Sequence, residues 1–247
     1  MKAKILLSLF VAVAMLAACK KNNPVITDQP KKLKYLTQVI AVQGAVTTTT
    51  YYTYDDNKRL ISEKTGDNTT NYIYNGNELF SVEYLSKSGT NTSRSTDELY
   101  YADGLVQTLT HKFYSGDGSV TLQSALGFAY NNGKLTETHN DGHLTYYYYE
   151  GNNLSKIQHE QYNLTFSYDD RKNKFLNLPA ALKNVALQLN KIEYLSSNNI
   201  TVETDSSLEP GTYTYNYDSD GYPTGATLNY KTNTYLNTKY TYVYKEL

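Results

Sequence analysis

The 247-residue chain has no tryptophan, one cysteine, five prolines and a formal net charge of −1, with 23 Lys and Arg set against 24 Asp and Glu. One cysteine excludes a disulfide framework. The lack of a basic excess, and of any stripe where basic residues interleave with aromatics, argues against a nucleic-acid partner. No Gly-rich phosphate loop and no Gly-x-Ser-x-Gly elbow occurs, so nucleotide binding and a serine-hydrolase triad have no sequence signal. What the chain does have is tyrosine: 27 Tyr beside 6 Phe. A ring that is apolar along its body and polar at its tip suits a half-buried sheet face, and this much aromatic content with this little charge excludes a disordered chain.

The N-terminus reads as a targeting segment. Lys2 and Lys4 precede an apolar run from Ile5 to Ala18 broken only by Ser8. Fourteen residues fall short of the roughly 20 that a bilayer-spanning helix needs. The run ends in Leu16-Ala17-Ala18-Cys19, which resembles the lipobox of bacterial lipoprotein precursors. The resemblance implies that residues 1–18 are a signal peptide, that Leu16, Ala17 and Ala18 are read by the signal peptidase, and that Cys19 becomes the lipidated N-terminus. An ordinary secretory peptide with an incidental cysteine is the alternative. Lipidation would answer the question a lone exported thiol raises, because two or more acyl chains at about 0.8 kcal/mol per buried methylene anchor a protein stably. Residues 19–34, with Pro24, Pro30 and five lysines, read as the lipidated Cys and a flexible tether. Lys20, Lys21, Lys31, Lys32 and Lys34 either lie on anionic head groups or belong to a soluble linker.

Residues 35–247 read as one Tyr-rich β-repeat domain. A Tyr followed by a turn-forming cluster recurs at Tyr54, Tyr74, Tyr101, Tyr130, Tyr149, Tyr168 and Tyr217, at spacings of 20, 27, 29, 19, 19 and 49 residues. A period near 20 residues matches one β-hairpin. The widest gap has room for one degenerate copy. Asn75-Gly76, Asp103-Gly104, Asn132-Gly133, Asp141-Gly142 and Asp220-Gly221 supply the hairpin turns. In Gly211 to Asp218 the alternation sets Tyr213, Tyr215 and Tyr217 on one face and Thr212, Thr214 and Asn216 on the other. The fold expected is all-β: an extended, curled antiparallel meander of β-hairpin repeats with one short helix. That helix is expected over residues 178–189, where Leu178, Leu182, Val185 and Leu189 share a helical face after Pro179, and it would cover one face or end of the sheet. These repeats resemble YD-repeat (RHS-like) sequences and the Bacteroidetes-type lipoproteins that carry them. The resemblance covers roughly Thr50 to the C-terminus, departs from the pattern where Lys58 and Asn173 replace glycine, and implies no catalytic residues. In Bacteroides-like lipoproteins surface export goes with acidic residues after the Cys, so Lys20 and Lys21 imply an outer-membrane anchor facing the periplasm.

Candidate chemistry is sparse. His139 and His143 flank a tight turn beside Glu137, a spacing that brings two ligands together on a helix but need not across a turn. The pairs Asp55/Asp56, Asp169/Asp170 and Asp218/Asp220 would suit a glycosidase or, for Asp218-x-Asp220-Gly221, a calcium loop. Each pair, however, directly follows or closely trails an anchor Tyr, where a turn needs an oxygen acceptor. The sequence therefore assigns no catalytic residue, metal or cofactor. It points to a lipid-anchored protein of the bacterial cell envelope, held to the membrane by its anchor and acting as a non-enzymatic binding or structural module with an envelope protein or glycan partner. A glycan-binding protein, or a glycan hydrolase using a carboxylate pair, is the alternative.

Overall fold

A computed structural model describes residues 33–206 and 208–247; the signal peptide reading, Cys19 and the tether as far as residue 32 lie outside the described residues. Lys34, the last residue read as tether, opens the first strand. The strands are β1 (Lys34–Gln43), β2 (Val46–Tyr54), β3 (Leu60–Thr65), β4 (Asn68–Asn75), β5 (Glu78–Ser88), β6 (Asn91–Ala102), β7 (Leu105–Tyr114) and β8 (Val120–Asn131). They continue with β9 (Lys134–Asn140), β10 (His143–Glu150), β11 (Asn153–His159), β12 (Asn163–Tyr168), β13 (Ile200–Asp205), β14 (Gly211–Tyr217), β15 (Pro223–Asn229) and β16 (Thr238–Glu246). Each strand pairs antiparallel with the next, and β16 returns to pair with β1 from Lys34↔Glu246 to Gln43↔Thr238. The sheet is thus a closed barrel.

This corrects the open meander. An uncapped meander would leave two unpaired edges; here they pair with each other, which removes the edge altogether. The closing device is a β-bulge repeated at every junction where an even strand passes to the following odd strand, and where β16 meets β1. Tyr54 pairs with Leu60 but Thr53 pairs with Ser62, so Ile61 is the extra residue. The same slip occurs at Tyr74/Leu79, Tyr101/Val106, Tyr130/Leu135, Tyr149/Leu154, Tyr168/Ile200, Tyr217/Pro223 and Tyr244/Leu36. Bulges bend a strand and increase its twist. Stacked at one rim, they curl the sheet.

A bulge also breaks the hydrogen-bond ladder, and a buried carbonyl without a donor is costly. Tyrosine supplies the donor. The hydroxyl of Tyr54 donates to the Leu36 carbonyl oxygen at 2.9 Å, Tyr74 to Leu60 at 2.9 Å, Tyr101 to Leu79 at 2.8 Å and Tyr130 to Val106 at 2.6 Å. Tyr149 donates to Leu135, Tyr168 to Leu154, Tyr215 to Ile200 and Tyr244 to Pro223, all at 2.8–2.9 Å. Each hairpin contributes one donor and one acceptor, and the acceptor side chains Leu36, Leu60, Leu79 and Leu154 are fully buried. The turns that close these junctions include Asp103-Gly104 and Asn132-Gly133, in which both residues have positive φ (53° and 74°; 50° and 74°), the backbone of a two-residue hairpin turn.

The rim with this tyrosine ring, called the near end, also holds both ends of the described chain, Leu33 and Leu247, joined by a backbone bond. The segment between β12 and β13 enters there too. Inside the barrel lie the leucines, most of the tyrosines and that segment. Outside, the pairing places Lys64 opposite Tyr51, Asn71 opposite Glu83, Glu98 opposite Thr110 and Lys156 opposite Tyr148. Charged groups link across this outer face: Arg94 Nε donates to Glu83 at 2.8 Å and Lys112 Nζ to Glu98 at 2.6 Å.

Two predictions follow from the ring. Tyr74→Phe should lower unfolding stability by about 1 kcal/mol, up to about 3 if the Leu60 carbonyl finds no other donor. Tyr100→Phe, on an outward side chain that is 67% exposed, should change it by less than about 0.5 kcal/mol in the same urea titration. Equal effects would remove the ring's claimed role. The second concerns alkali. Burial first, then neighbouring charges, raises the ring phenols; Tyr101 is pushed up to about 12 and others higher, against an ordinary value near 10. The folded state therefore binds more protons than the unfolded one above pH 10. The stabilisation is complete below that pH and is lost as pH rises through the folded values. The urea midpoint should fall steeply between about pH 10 and 12; a flat midpoint would contradict it.

Candidate functional site

A closed sheet of sixteen strands encloses more space than its own side chains fill. Residues 169–199 fill it as a plug. The expected helix over 178–189 is corrected in two respects: it is a short turn of helix, α1 (Ala180–Lys183), followed by turns and by α2 (Ile192–Leu195), and it lies inside the barrel rather than across a sheet face. Leu178, Leu182, Val185 and Leu189 are buried as their spacing predicts. The chain leaves helical geometry after Lys183 and turns at Asn190, whose φ is 55°. The 49-residue gap between Tyr168 and Tyr217 holds this plug and one ordinary hairpin, not a degenerate repeat.

The plug is held to the wall by polar bonds at chosen points. Glu63, buried on β3, accepts hydrogen bonds from the hydroxyls of Tyr72 and of the plug's Tyr194, and from Lys191 Nζ at 3.0 Å. Burial first, and then the Glu63 charge, raises the Tyr72 and Tyr194 phenols and keeps them as donors. Gln188 Nε2 donates to the Tyr130 hydroxyl at 2.7 Å, and Asn177 Nδ2 to the Lys34 carbonyl at 2.7 Å and the Tyr222 hydroxyl at 2.9 Å. A separate wall cluster joins Asp97 to Tyr84 at 2.7 Å and to His111 Nδ1 at 2.5 Å.

Two cavities between the plug and the wall flank Ile192. The first, about 290 Å³, lies against β12–β16 and β1–β2 and is lined by Lys174, Glu193, Glu203 and the rings of Tyr52, Tyr213 and Tyr242 among others. The second, about 400 Å³, is lined by His143, His159, Tyr162, Tyr147, Leu187 and Gln188. His159 stacks on Tyr162 with centroids 4.9 Å apart. In the first cavity burial lowers the Lys174 ammonium, and burial followed by Glu193 and Asp205 raises the Glu203 carboxyl. Tyr213 and Tyr215 stack at 6.1 Å, and Tyr240 and Tyr242 at 6.3 Å, forming two aromatic walls.

Of the sequence candidates, His143 alone lines one of these two cavities. His139 meets Glu137 at 2.5 Å, whereas His143 meets Glu160 at 3.2 Å. His139 pairs with Leu144 and His143 with Asn140, so the two rings leave the sheet on opposite faces. Among the described residues no group of three His, Cys, Asp or Glu is placed to hold a metal ion. The aspartate pairs cap near-end turns. Asp55 takes the Arg59 amide at 2.8 Å and its guanidinium at 2.7 Å; Asp169 takes the amides of Arg171 and Asn199, each at 3.0 Å. Asp218 takes the amides of Asp220 and Tyr222, and Lys34 bridges Asp218 and Asp220 at 2.7 and 2.8 Å. Burial acts to raise Asp218; those hydrogen bonds and the Lys34 charge outweigh it and hold the carboxyl below its ordinary value.

Sequence reasoning missed Glu63, Glu203 and Lys174. The first two had a signal. Each stands three residues after the bulge leucine or isoleucine, the position that carries Val39, Val82, Leu109 and Ile157 in other repeats.

No protein-family model matches the chain, and no curated relative matches it. Among solved structures it is similar to a porin-like protein from Bacteroides uniformis, with 18% identity, 84% of this chain and 96% of that chain covered, and a TM-score of 0.48. A porin-like protein from Bacteroides vulgatus shares 12% identity over 87% of this chain and 100% of that one, with a TM-score of 0.43.

If Glu63 seats the plug, Glu63→Ala leaves two phenols and the Lys191 ammonium unpaired. It should destabilise the barrel by roughly 3 kcal/mol or more. It should also speed proteolysis within residues 169–199; cleavage and urea midpoint both unchanged would show that the plug is held otherwise.

Proposed function

We propose that this is a lipid-anchored protein of the bacterial cell envelope whose barrel stands in water and serves as a non-enzymatic binding module. The observation that carries the reading is the polarity of the two faces. A barrel that crosses a membrane turns an apolar band about 25 Å tall outward, and a Lys or Arg on that face costs roughly 2–4 kcal/mol at mid-membrane. Here the outward face carries Lys64, Glu83, Arg94, Glu98, Lys112 and Lys156 along the strands, while the core leucines and most of the tyrosines point inward. Exposed apolar and aromatic residues do occur on this face, Ile73, Phe80 and Tyr100 as a group on β4–β6 and Tyr51, Tyr146, Tyr148 and Val243 elsewhere, but Tyr51 and Tyr148 stand opposite Lys64 and Lys156 rather than in an uncharged band.

Membrane attachment then rests on the N-terminal segment, with Cys19 as the lipidated residue after recognition of Leu16, Ala17 and Ala18. The two lysines that follow favour an outer-membrane anchor facing the periplasm. A lumen partly filled by the plug, with cavities between plug and wall, suits capture of a small ligand or a terminal group of an envelope protein or glycan. The sequence-adjacent aspartates that the glycan-hydrolase alternative would have used are engaged as turn caps.

Cys19→Ala should move the protein from the membrane pellet to the soluble fraction of lysed cells. A barrel that itself spans the membrane would stay in the pellet, and that outcome would overturn the proposal.

A further inference from the structure

Lys174 is the unusual cation of the lumen. The other plug lysines have partners: Lys172 donates to the Asp220 carbonyl at 2.8 Å, Lys183 to the Leu176 carbonyl, and Lys191 to Glu63 at 3.0 Å. The Lys174 ammonium has none among the described residues. It stands 5.1 Å from the centre of the Phe175 ring and 5.6 Å from that of Tyr242, deep in the barrel, and the surface it keeps is cavity wall rather than outer surface. Glu193, on the wall of the same cavity, attracts this ammonium without a hydrogen bond or ion-pair contact, so ring faces and a carboxylate beyond contact distance replace only part of its hydration and a directly bound counter-charge would replace the rest.

We propose that the Lys174 cavity is a binding site for a small organic carboxylate, whose carboxylate group pairs with the Lys174 ammonium. The inference rests on the binding-module reading and gives it a ligand class. The remaining lining defines the other end of that ligand. Among the described residues the carboxyls of Glu193, on α2, and Glu203, on β13, make no hydrogen bond, although the Glu193 charge acts on both Lys174 and Glu203, and the hydroxyls of Tyr52 and Tyr213 make none either. Acceptors and phenols of this kind meet hydroxyl or ammonium groups. A cavity of about 290 Å³ stands at the lower edge of small-molecule sites, which limits the ligand to the size of an amino acid or a sugar acid.

The test is a thermal-shift screen of the chain from residue 20 onward, which contains the whole barrel, itself a compact unit from Leu33 to Leu247. The probes are paired: alanine with alaninamide, lactate with lactamide, glucuronate with glucose, and N-acetylmuramic acid with N-acetylglucosamine. At a concentration about tenfold above Kd, a carboxylate should raise Tm by about 3 °C or more while its neutral partner does not. Lys174→Met should abolish the shift while still melting cooperatively when unliganded. Lys174→Gln serves the same purpose if the Met variant does not fold. The inference is overturned if no carboxylate raises Tm, if the neutral partners act equally, or if the Lys174 variants keep the shift. A neutral sugar that stabilises wild type and variant alike would discard the carboxylate and leave the binding module standing; the Cys19 fractionation, which reads only location and the outer face, can fail independently of either.

Discussion

The structure depends on one hydrogen bond repeated around a rim: a tyrosine hydroxyl donating to the carbonyl that a β-bulge has taken out of the ladder. Without the bulges the strands would not bend enough to bring β16 back to β1. Without the hydroxyls each bulge would leave a buried acceptor unmet. The two features have to occur together, and each hairpin carries both, so the residue needed at the ring is Tyr and not Phe. That requirement accounts for part of the imbalance between 27 Tyr and 6 Phe, because phenylalanine could fill the same volume but could not donate. The ring also couples neighbours. The leucine that accepts from one tyrosine pairs across the bulge with the tyrosine of the preceding hairpin, so loss of register at one junction exposes groups in two.

Closure at sixteen strands creates the second constraint, a lumen to be filled. The wall meets it with large inward side chains, and the chain meets the rest with residues 169–199. The plug has little regular structure, so its backbone groups need partners other than a helical ladder. Asn173 shows how this is done. Its Nδ2 donates to the carbonyls of Glu193 and Asn198 at 3.1 and 3.0 Å, while its Oδ1 accepts the Phe175 amide at 2.6 Å. One buried amide side chain thereby fixes both limbs of the plug. Asp169 and Asn199 close the neck where the plug leaves the wall, with the Tyr217 hydroxyl donating to Asp169. The two cavities are what remains between plug and wall.

Much of the wall was legible in the sequence. The Tyr-turn-Leu repeat marked the hairpins, and Tyr213, Tyr215 and Tyr217 do share a face, with ring spacings of 6.1 and 5.9 Å. The bulges hid the rest. Strict alternation from Leu60 puts Ser62 and Lys64 inside and Glu63 outside, whereas the extra residue Ile61 reverses the parity and buries Glu63. The same reversal makes Leu79 and Val82, Val106 and Leu109, and Leu154 and Ile157 inward pairs three residues apart. Barrel closure was hidden for a different reason: β1 and β16 are as far apart in sequence as the domain allows, and their pairing has no local signature. Lys174 was hidden because nothing in Lys-Asn-Lys-Phe distinguishes a lysine on a lumen cavity from Lys172, which donates to the Asp220 carbonyl. Only the path of the plug separates them.

The inward placement of leucine and tyrosine also decides how polar groups in the lumen should be understood. Because this barrel is held together by burying apolar surface inside, every charge admitted there opposes folding unless something answers it. Asp97 is answered by Tyr84 and His111, and Glu63 by two phenols and Lys191. These groups bind strand to strand or plug to wall, so their desolvation is offset within the fold itself. Lys174, Glu193 and Glu203 form no such bond, and all three border the same cavity. Charges gathered on one cavity surface without a hydrogen bond or ion pair to the fold are better explained by what enters the cavity than by what stabilises the empty barrel.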